Sequence, residues 1–234
     1  MGSKNRVAKH LLPVMLENRN ERTWIEPFVG GANMIDKVDG NRIGADNNKY
    51  LIDFWNEFKN GWIPPEHVTK EEYYAIKDNK ENDTKMTLFA GIICSYGGKW
   101  FGGYANNYPE HRRLKNGKLP NFQKEGKNGI IKQLPKIKGV EFIHSSYQDL
   151  EIPDNSLIYC DPPYEGTTKY KDDFNHSDFW EWCRLKSKEG HQLFISEYRA
   201  PKDFKCVKEV LTNTQLGGGS NTGNLKKIEK LFTI

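Results

Sequence analysis

The residues with the most distinctive chemistry are Asp161-Pro162-Pro163-Tyr164, which follow the apolar run "SLIYC" at residues 156–160. Such a run predicts a buried strand, so the acid is expected at the end of that strand. The prolines stiffen the chain and donate no hydrogen bonds, which leaves nearby carbonyl oxygens as acceptors. A carboxylate and a carbonyl that both accept from a ring-bound amino group favour the pyramidal nitrogen that attacks a methyl donor. Tyr164 adds a flat face on which a planar base can stack.

A second candidate site is the stretch "EPFVGGAN" at residues 26–33. Gly30 and Gly31 let the backbone turn sharply and approach a ligand closely. Asp46 stands sixteen residues after Gly30, at the end of the next strand-like segment, where an acid for ribose hydroxyls is expected. The alternatives are an ordinary turn for the glycine pair, a helix cap for Asp46 and a surface turn for the Asp-Pro-Pro-Tyr motif.

The positive charge of the chain is concentrated in one segment. Between Lys85 and Lys138 there are eleven cations and two anions, a net charge of +9, so the remainder carries −5 of the total of +4. Aromatic and glycine residues alternate with cations in "CSYGGKWFGGYANNYPEHRR". This combination indicates a surface that binds a polyanion such as nucleic acid, and a solvated lysine-rich loop is the alternative.

These residues need a scaffold, and the hydrophobic pattern predicts one. Strand-like segments are "TWIEPF" (23–28), "NRIGAD" (41–46), "VEFIHSS" (140–146), "SLIYCD" (156–161), "HQLFISEY" (191–198), "KCVKEV" (205–210) and "KKIEKLFTI" (226–234). A helical pattern follows the glycine turn in "VGGANMIDKV", and another covers residues 48–58. "NTQLGGGSNTGN" between the last two strands is typical of a loose hairpin loop.

Strands that alternate with helices imply an α/β domain with a mostly parallel sheet, closed by a terminal antiparallel hairpin. Between residues 62 and 138 this alternation gives way to Gly-, Pro-, Asn- and Lys-rich sequence. We therefore expect a first catalytic part at 1–61, an inserted target-recognition region at 62–138 and a second catalytic part at 139–234. Ligands of such sheets bind at the carboxyl ends of the strands, where both candidate sites fall.

Composition excludes several other classes of protein. Charged residues make up 28% of the chain and no apolar run is long enough to cross a membrane, so a soluble, cytoplasmic protein is expected. The first ten residues lack the apolar centre of a secretory signal. The four cysteines are scattered, with no C-x-x-C pair, and this argues against a metal site or a disulfide framework.

Taken together, these segments resemble the Dam-like (D12 class) adenine-N6 DNA methyltransferases of phage or bacterial type. The resemblance runs through "MGSKNRVAKHLLP", "IEPFVGGANM", "IGADNNKYL", "YCDPPYEGTTKY" and the "FISEY" strand, in that family's order. It implies a Rossmann-like, S-adenosylmethionine-dependent methyltransferase fold. The implied activity is methyl transfer to adenine N6 in a short double-stranded DNA site by base flipping, with a restriction nuclease as a further partner.

The resemblance also implies roles for particular residues. It makes Asp161, Pro162, Pro163 and Tyr164 catalytic. Contacts to S-adenosylmethionine are expected from Lys4, Glu26, Pro27, Phe28, Gly30, Gly31, Asp46, Ser146, Tyr147 and Asp161, with Ser146 and Tyr147 beside the cofactor adenine. DNA contacts are assigned to Lys99, Trp100, Arg112 and Arg113, and no metal is expected.

The sequence departs from the family pattern at two of these places. Ala32 stands where a second glycine is common, and Ser146 stands where many relatives have an acid. Other functions stay open: methylation of cytosine N4, of RNA adenine or of a protein amide by a related motif, or a non-catalytic DNA-binding module derived from such an enzyme. An acid at the first position of the motif favours adenine.

Overall fold

The computed structural model describes residues 4–105, 121–165, 174–214 and 225–234. Its contacts separate two compact units. One is formed by Asn48–His144, here called the helical unit, and the other by the residues up to Asn47 together with Ser145–Ile234, here called the sheet unit. The expected inserted region, 62–138, falls inside the helical unit, and its exact boundaries stay a prediction.

The described elements are numbered in chain order. The strands are β1 (Trp24–Glu26), β2 (Arg42–Asp46), β3 (Val140–His144), β4 (Leu157–Cys160), β5 (Gln192–Glu197), β6 (Lys205–Thr214) and β7 (Leu225–Thr233). The α-helices are α1 (Asn5–Leu16), α2 (Lys49–Lys59), α3 (Lys70–Asp78), α4 (Thr84–Leu88), α5 (Phe122–Ile131), α6 (Leu134–Ile137) and α7 (His176–Lys188). No helix in the described ranges is long and apolar enough to cross a membrane.

The sheet unit confirms the expected α/β architecture. Its strands β2, β1, β4 and β5 lie side by side in that order and are parallel. β7 then pairs antiparallel with β5 and with β6, which gives the expected terminal hairpin. β1 and β4 are buried along their whole length, as is typical of central parallel strands that are covered on both faces. The hairpin loop predicted between β6 and β7 lies largely outside the described residues.

Two local predictions near the N-terminus differ from the structure. The helical pattern predicted after the glycine turn forms only a three-residue 3-10 helix at Ile35–Lys37, because the backbone at Gly30 and Ala32 has positive φ angles of 47° and 52° that no α-helix accommodates. In contrast, α1 was not predicted. Val7, Leu11 and Met15 recur every four residues along it and bury one face.

The helical unit is more regular than its composition suggested. The described part of 62–138 contains α3 to α6 and a π-helical turn at Phe89–Ile93. Short polar caps define these helices: Thr69 and Glu72 form a reciprocal capping box on α3, and Asp83 caps α4. The Gly- and Lys-rich composition of this region therefore did not indicate these helices, whose ends are set by single capping side chains.

A loop in the helical unit carries two of the expected DNA-binding residues. Ser95 and Tyr104 form an isolated antiparallel bridge at its base. The Tyr73 hydroxyl lies 2.9 Å from Ser95 Oγ and accepts a hydrogen bond from the Gly103 amide at 3.3 Å. Because Tyr73 is fully buried, it fixes both ends of this loop to the core of the unit.

Candidate active site

The Asp-Pro-Pro-Tyr motif lies at the carboxyl edge of the parallel sheet, as the sequence predicted. β4 ends at Cys160, so Asp161 is the first residue beyond the strand. The neighbouring strands β1 and β5 end in Glu26 and Glu197. Parallel strands bring their carboxyl ends to one edge, so three acids from three strands converge there. The Asp161 side chain is 23% exposed, which leaves it accessible to a bound molecule.

Lys4 is bound directly to this motif. Its ammonium lies 3.1 Å from Asp161 Oδ1 and 2.8 Å from Glu229 Oε1, and it also donates to the Tyr164 hydroxyl. The Tyr164 hydroxyl in turn donates to Glu229 Oε1. The resemblance predicted Lys4 near the cofactor, and the structure shows it paired with Asp161.

Asp161 titrates in an unusual range. Burial raises the pKa of its carboxyl to about 6, and the charge of Lys4 opposes this shift while that of Glu229 adds to it. Burial also lowers the pKa of Lys4, but the Asp161 and Glu229 carboxylates outweigh this effect and hold it above its ordinary value. Near neutral pH Asp161 is therefore mostly ionised and can accept a hydrogen bond.

Glu26 is neutral under the same conditions. Its carboxyl is buried and accepts a hydrogen bond from Trp24 Nε1 at 2.8 Å. Burial raises the pKa of Glu26 to about 8, against the smaller opposing effect of the Trp24 bond. A protonated carboxyl donates as well as accepts, so Glu26 presents an O–H group at the end of β1.

The glycine loop is closed onto β2 by hydrogen bonds. The Val29 amide donates to the Ala45 carbonyl at 2.8 Å, and the Gly30 amide donates to Asp46 Oδ2 at 3.1 Å. The structure thus brings Gly30 and Asp46 together, as their spacing suggested. The alternative of a helix cap is excluded for Asp46, because the side chain that caps α2 is Asn48. Ala32 has a left-handed backbone, with a φ angle of 52°.

Aromatic rings pack beside this loop. Phe28 lies with its ring centroid 5.4 Å from that of Tyr147, and both contact Phe174 and Phe179. Burial raises the pKa of Tyr147. The Ser146 hydroxyl donates to Asp149 Oδ2 at 2.6 Å and accepts from the Asp149 amide at 3.1 Å, so it stabilises a local turn. Their placement beside a cofactor adenine stays a prediction.

The structure describes two of the four expected DNA-binding residues, Lys99 and Trp100. Lys99 is exposed, and Trp100 is 41% exposed with its ring centroid 5.5 Å from that of Tyr50. Arg112 and Arg113 lie outside the described residues. Lys127, one of the eleven cations, is buried and paired with Glu66, so it does not serve a phosphate.

Two candidate functional residues were missed by the sequence interpretation. Tyr96 is 73% exposed, next to two glycines with positive φ angles, and it projects from the same loop as Lys99. Glu229 and Leu231 are two positions apart on β7, so their side chains lie on the same face of the strand, and both are buried. In the sequence, this two-residue spacing was the available signal for Glu229, and the neighbouring Gly97-Gly98 pair was the signal for Tyr96.

The fold and the site define a Rossmann-like α/β protein with a glycine loop and an Asp-Pro-Pro-Tyr motif at one edge of its sheet. Residues 1–216 match the family described as D12 class N6 adenine-specific DNA methyltransferase, and the chain belongs to this family.

Two curated relatives are type II methyltransferases. M.FokI from Planomicrobium okeanokoites is 26% identical over 205 residues, and M.MjaIII from Methanocaldococcus jannaschii is 24% identical over 248 residues. The matches cover 80% and 91% of this chain, but 31% of M.FokI and 82% of M.MjaIII. The chain therefore spans about a third of the length of the first relative. Among solved structures, HI0767 from Haemophilus influenzae aligns over 100% of this chain and 90% of its own, with a TM-score of 0.40 and 12% identity.

Proposed function

We propose that this chain transfers a methyl group from S-adenosylmethionine to the N6 amino group of adenine in double-stranded DNA, with the target base flipped out of the duplex. The observation that carries the proposal is the position of Asp161 at the carboxyl edge of the sheet, where it is followed by two prolines and Tyr164. Membership of the adenine-specific family supports adenine rather than cytosine as the base.

The glycine loop fits the proposed cofactor. The carboxylate of Asp46 has several lone pairs, so it can accept from ribose hydroxyls while it holds the Gly30 amide. Hydrogen bonds from the Val29 and Gly30 amides hold the loop against β2, and the absent side chain of Gly30 lets a ligand approach the main chain. When bound, S-adenosylmethionine supplies an electrophilic methyl group on a positively charged sulfur.

The residues of the motif act on the target base. The Asp161 carboxylate accepts a hydrogen bond from the exocyclic amino group, and the carbonyls beside Pro162 and Pro163 accept the other. This arrangement draws the nitrogen lone pair out of conjugation with the ring and directs it towards the methyl group. The Tyr164 ring stacks on the flipped base and returns part of the cost of unstacking it.

DNA binding is assigned to the helical unit. Its exposed cations supply charge for phosphates, and the exposed rings of Tyr96 and Trp100 supply flat surfaces for bases. We propose that the chain works in the cytoplasm. A restriction nuclease is the further partner, supported by the description of both curated relatives as type II methyltransferases.

The decisive experiment is nucleoside mass spectrometry of plasmid DNA from a methylation-deficient host that expresses the chain. N6-methyladenine is the expected product. N4-methylcytosine without N6-methyladenine overturns the choice of base. The absence of any methylated base, with protein that still binds DNA, favours a non-catalytic module. The same measurement on RNA from these cells tests the other substrate: N6-methyladenine in RNA but not in DNA means that the chain methylates RNA.

The cofactor assignment predicts a binding defect for Asp46→Ala. Loss of charge-assisted hydrogen bonds costs about 1.5 to 3 kcal/mol, which weakens S-adenosylmethionine binding by roughly 10- to 150-fold. Calorimetry measures this change in affinity. Asp46→Asn keeps an acceptor for the Gly30 amide, so its affinity should lie between those of the wild type and Asp46→Ala. Asp154→Ala is the matched control because Asp154 is exposed and precedes β4, at the opposite edge of the sheet. Unchanged affinity in Asp46→Ala removes this residue from the cofactor site.

The DNA assignment predicts a steep dependence on salt. If about four cations of the helical unit neutralise phosphates, log K falls with log salt at a slope of about −3.6, or roughly 150-fold between 50 and 200 mM. Replacement of Arg112 and Arg113 with glutamine should reduce the slope by about half. The paired control is Lys205→Gln with Lys208→Gln on β6, which should leave it unchanged. Binding that ignores salt means that the segment is a solvated loop.

A further inference from the structure

Glu229 is a buried acid that contacts the catalytic motif although it lies far from it in sequence. It belongs to β7, the strand that pairs with β5, and it is 8% exposed. Its Oε1 atom accepts from both the Lys4 ammonium and the Tyr164 hydroxyl. Glu229 is therefore placed to influence two neighbours of Asp161.

The Lys4 ammonium has three N–H groups, and the cluster provides three acceptors for them. These are the Asp161 carboxylate, the Glu229 carboxylate and the Tyr164 hydroxyl oxygen. The ammonium also lies 4.5 Å from the centroid of the Tyr164 ring. An ammonium that is held from three directions has little freedom to move away from Asp161, even though its side chain is long and flexible.

We propose that Glu229 is a positioning residue of the methyl-transfer site, which holds Lys4 against Asp161 and anchors the Tyr164 hydroxyl. The assignment of this site to methyl transfer rests on the proposed function, whereas the coupling of Glu229 to Asp161 rests on the geometry. Neither Lys4 nor Glu229 touches the reacting atoms in this scheme. They act through the ionisation of Asp161 and the orientation of the Tyr164 ring.

The titratable groups around Asp161 belong to several elements. Lys4 faces it from the residue before α1, and the acids that interact with it are Glu26 on β1, Glu197 on β5 and Glu229 on β7. The Tyr164 hydroxyl, from the same loop as Asp161, also lowers the pKa of Asp161. Burial also raises the pKa of Glu197, to about 7, so Glu197 is only partly ionised near neutral pH.

Lys4 and Glu229 therefore have opposite effects on the same group. Lys4 favours the ionised form of Asp161, because opposite charges within a few ångströms stabilise each other. Glu229 disfavours it through repulsion between like charges. Neutralising each residue should thus move the titration of Asp161 in opposite directions, which a purely structural role does not predict.

The primary test is an isotope-edited NMR titration of the aspartate carboxyl groups, with the Asp161 signal assigned by its loss in Asp161→Asn. Glu229→Gln keeps an acceptor for Lys4 and for the Tyr164 hydroxyl but removes the negative charge, so it should lower the pKa of Asp161 from about 6 towards the ordinary value of 3.8. Glu229→Ala also releases Lys4 from its position against Asp161, so the pKa of Asp161 should lie higher in this variant than in Glu229→Gln. Lys4→Met should raise it by about 1 to 3 units, and Lys4→Arg should restore it. Glu209→Gln is the matched control, because Glu209 is an exposed acid on the neighbouring strand β6.

The second readout is the dependence of the methylation rate on pH. Only the ionised form of Asp161 accepts from the amino group, so the rate should fall as pH decreases through its pKa. This acid limb should move down in Glu229→Gln and up in Lys4→Met. An unchanged or raised Asp161 pKa in Glu229→Gln overturns the inference, even if the wild type methylates DNA. Opposite shifts in a protein without methylation activity support the coupling and reject the proposed function instead.

Discussion

Replacement of Asp161 with alanine should reduce the rate of adenine methylation on the order of 10³-fold, as does the loss of a main electrostatic contact in other active sites. The reason is that, in the proposed mechanism, Asp161 accepts a hydrogen bond from the amino group of adenine, which is a poor nucleophile while its lone pair remains in the ring. Single-turnover rates with a methylated-base readout measure the effect on the chemical step.

The binding steps serve as controls for this variant. S-adenosylmethionine affinity should change little, because Asp46 and the Gly30 loop carry the ribose contacts in the proposed site. DNA affinity should also persist, since the helical unit supplies the phosphate contacts. Asp154→Ala, at the opposite edge of the sheet, should retain the full rate. A rate for Asp161→Ala within tenfold of the wild type would falsify the assignment of Asp161 as the acceptor.

The sheet could be predicted from the sequence because its central strands are short, apolar and bounded by recognisable turns. "SLIYCD" and "HQLFISEY" correspond to β4 and β5, and "NRIGAD" corresponds to β2. The acids that follow these runs fall at one edge simply because parallel strands share their direction. The relation of Gly30 to Asp46 was predictable for the same reason, since both belong to consecutive strand ends.

The helices of the inserted segment could not be predicted from the same kind of pattern. α3 and α5 are nine and ten residues long, and the interior of α5 contains Gly126 and Gly129, which weaken its local helical preference. Their stability depends on caps and on tertiary contacts such as the buried Gln123, whose side chain binds both the amide and the carbonyl of Val68. Such contacts join residues that are far apart in sequence.

The environment of Asp161 is the clearest case of information that only the fold contains. Lys4 and Glu229 are separated by 225 positions, and neither lies in the Asp-Pro-Pro-Tyr motif. An isolated lysine near a chain end is usually solvated, so its type and position did not indicate a buried ion pair. The motif was predictable as a set of reactive groups, but the protonation state of its acid depends on partners that converge only after folding.

Substitutions can separate the proposed role of the Tyr164 ring from the contacts of its hydroxyl. Its ring is available for stacking in the proposed mechanism, while its hydroxyl bridges Lys4 and Glu229. The rings of Tyr164 and Tyr198 form a T-shaped pair, with centroids 4.7 Å apart and an interplanar angle of 85°. This contact and the anchored hydroxyl fix the plane of the ring before a base arrives.

We expect Tyr164→Ala to lose about 5- to 150-fold in methylation rate, because stacking of one base on an aromatic ring contributes about 1 to 3 kcal/mol. Tyr164→Phe keeps the ring and removes the hydroxyl, so it should lose only about 2- to 12-fold, the equivalent of one hydrogen bond of about 0.5 to 1.5 kcal/mol. Duplexes with 2-aminopurine at the target position report flipping through fluorescence and distinguish the two effects. Tyr164→Ala should reduce the flipped population, whereas Tyr164→Phe should leave it nearly intact. Equal losses in the two variants mean that the hydroxyl anchor, rather than the stacking face, is what the reaction needs from this residue.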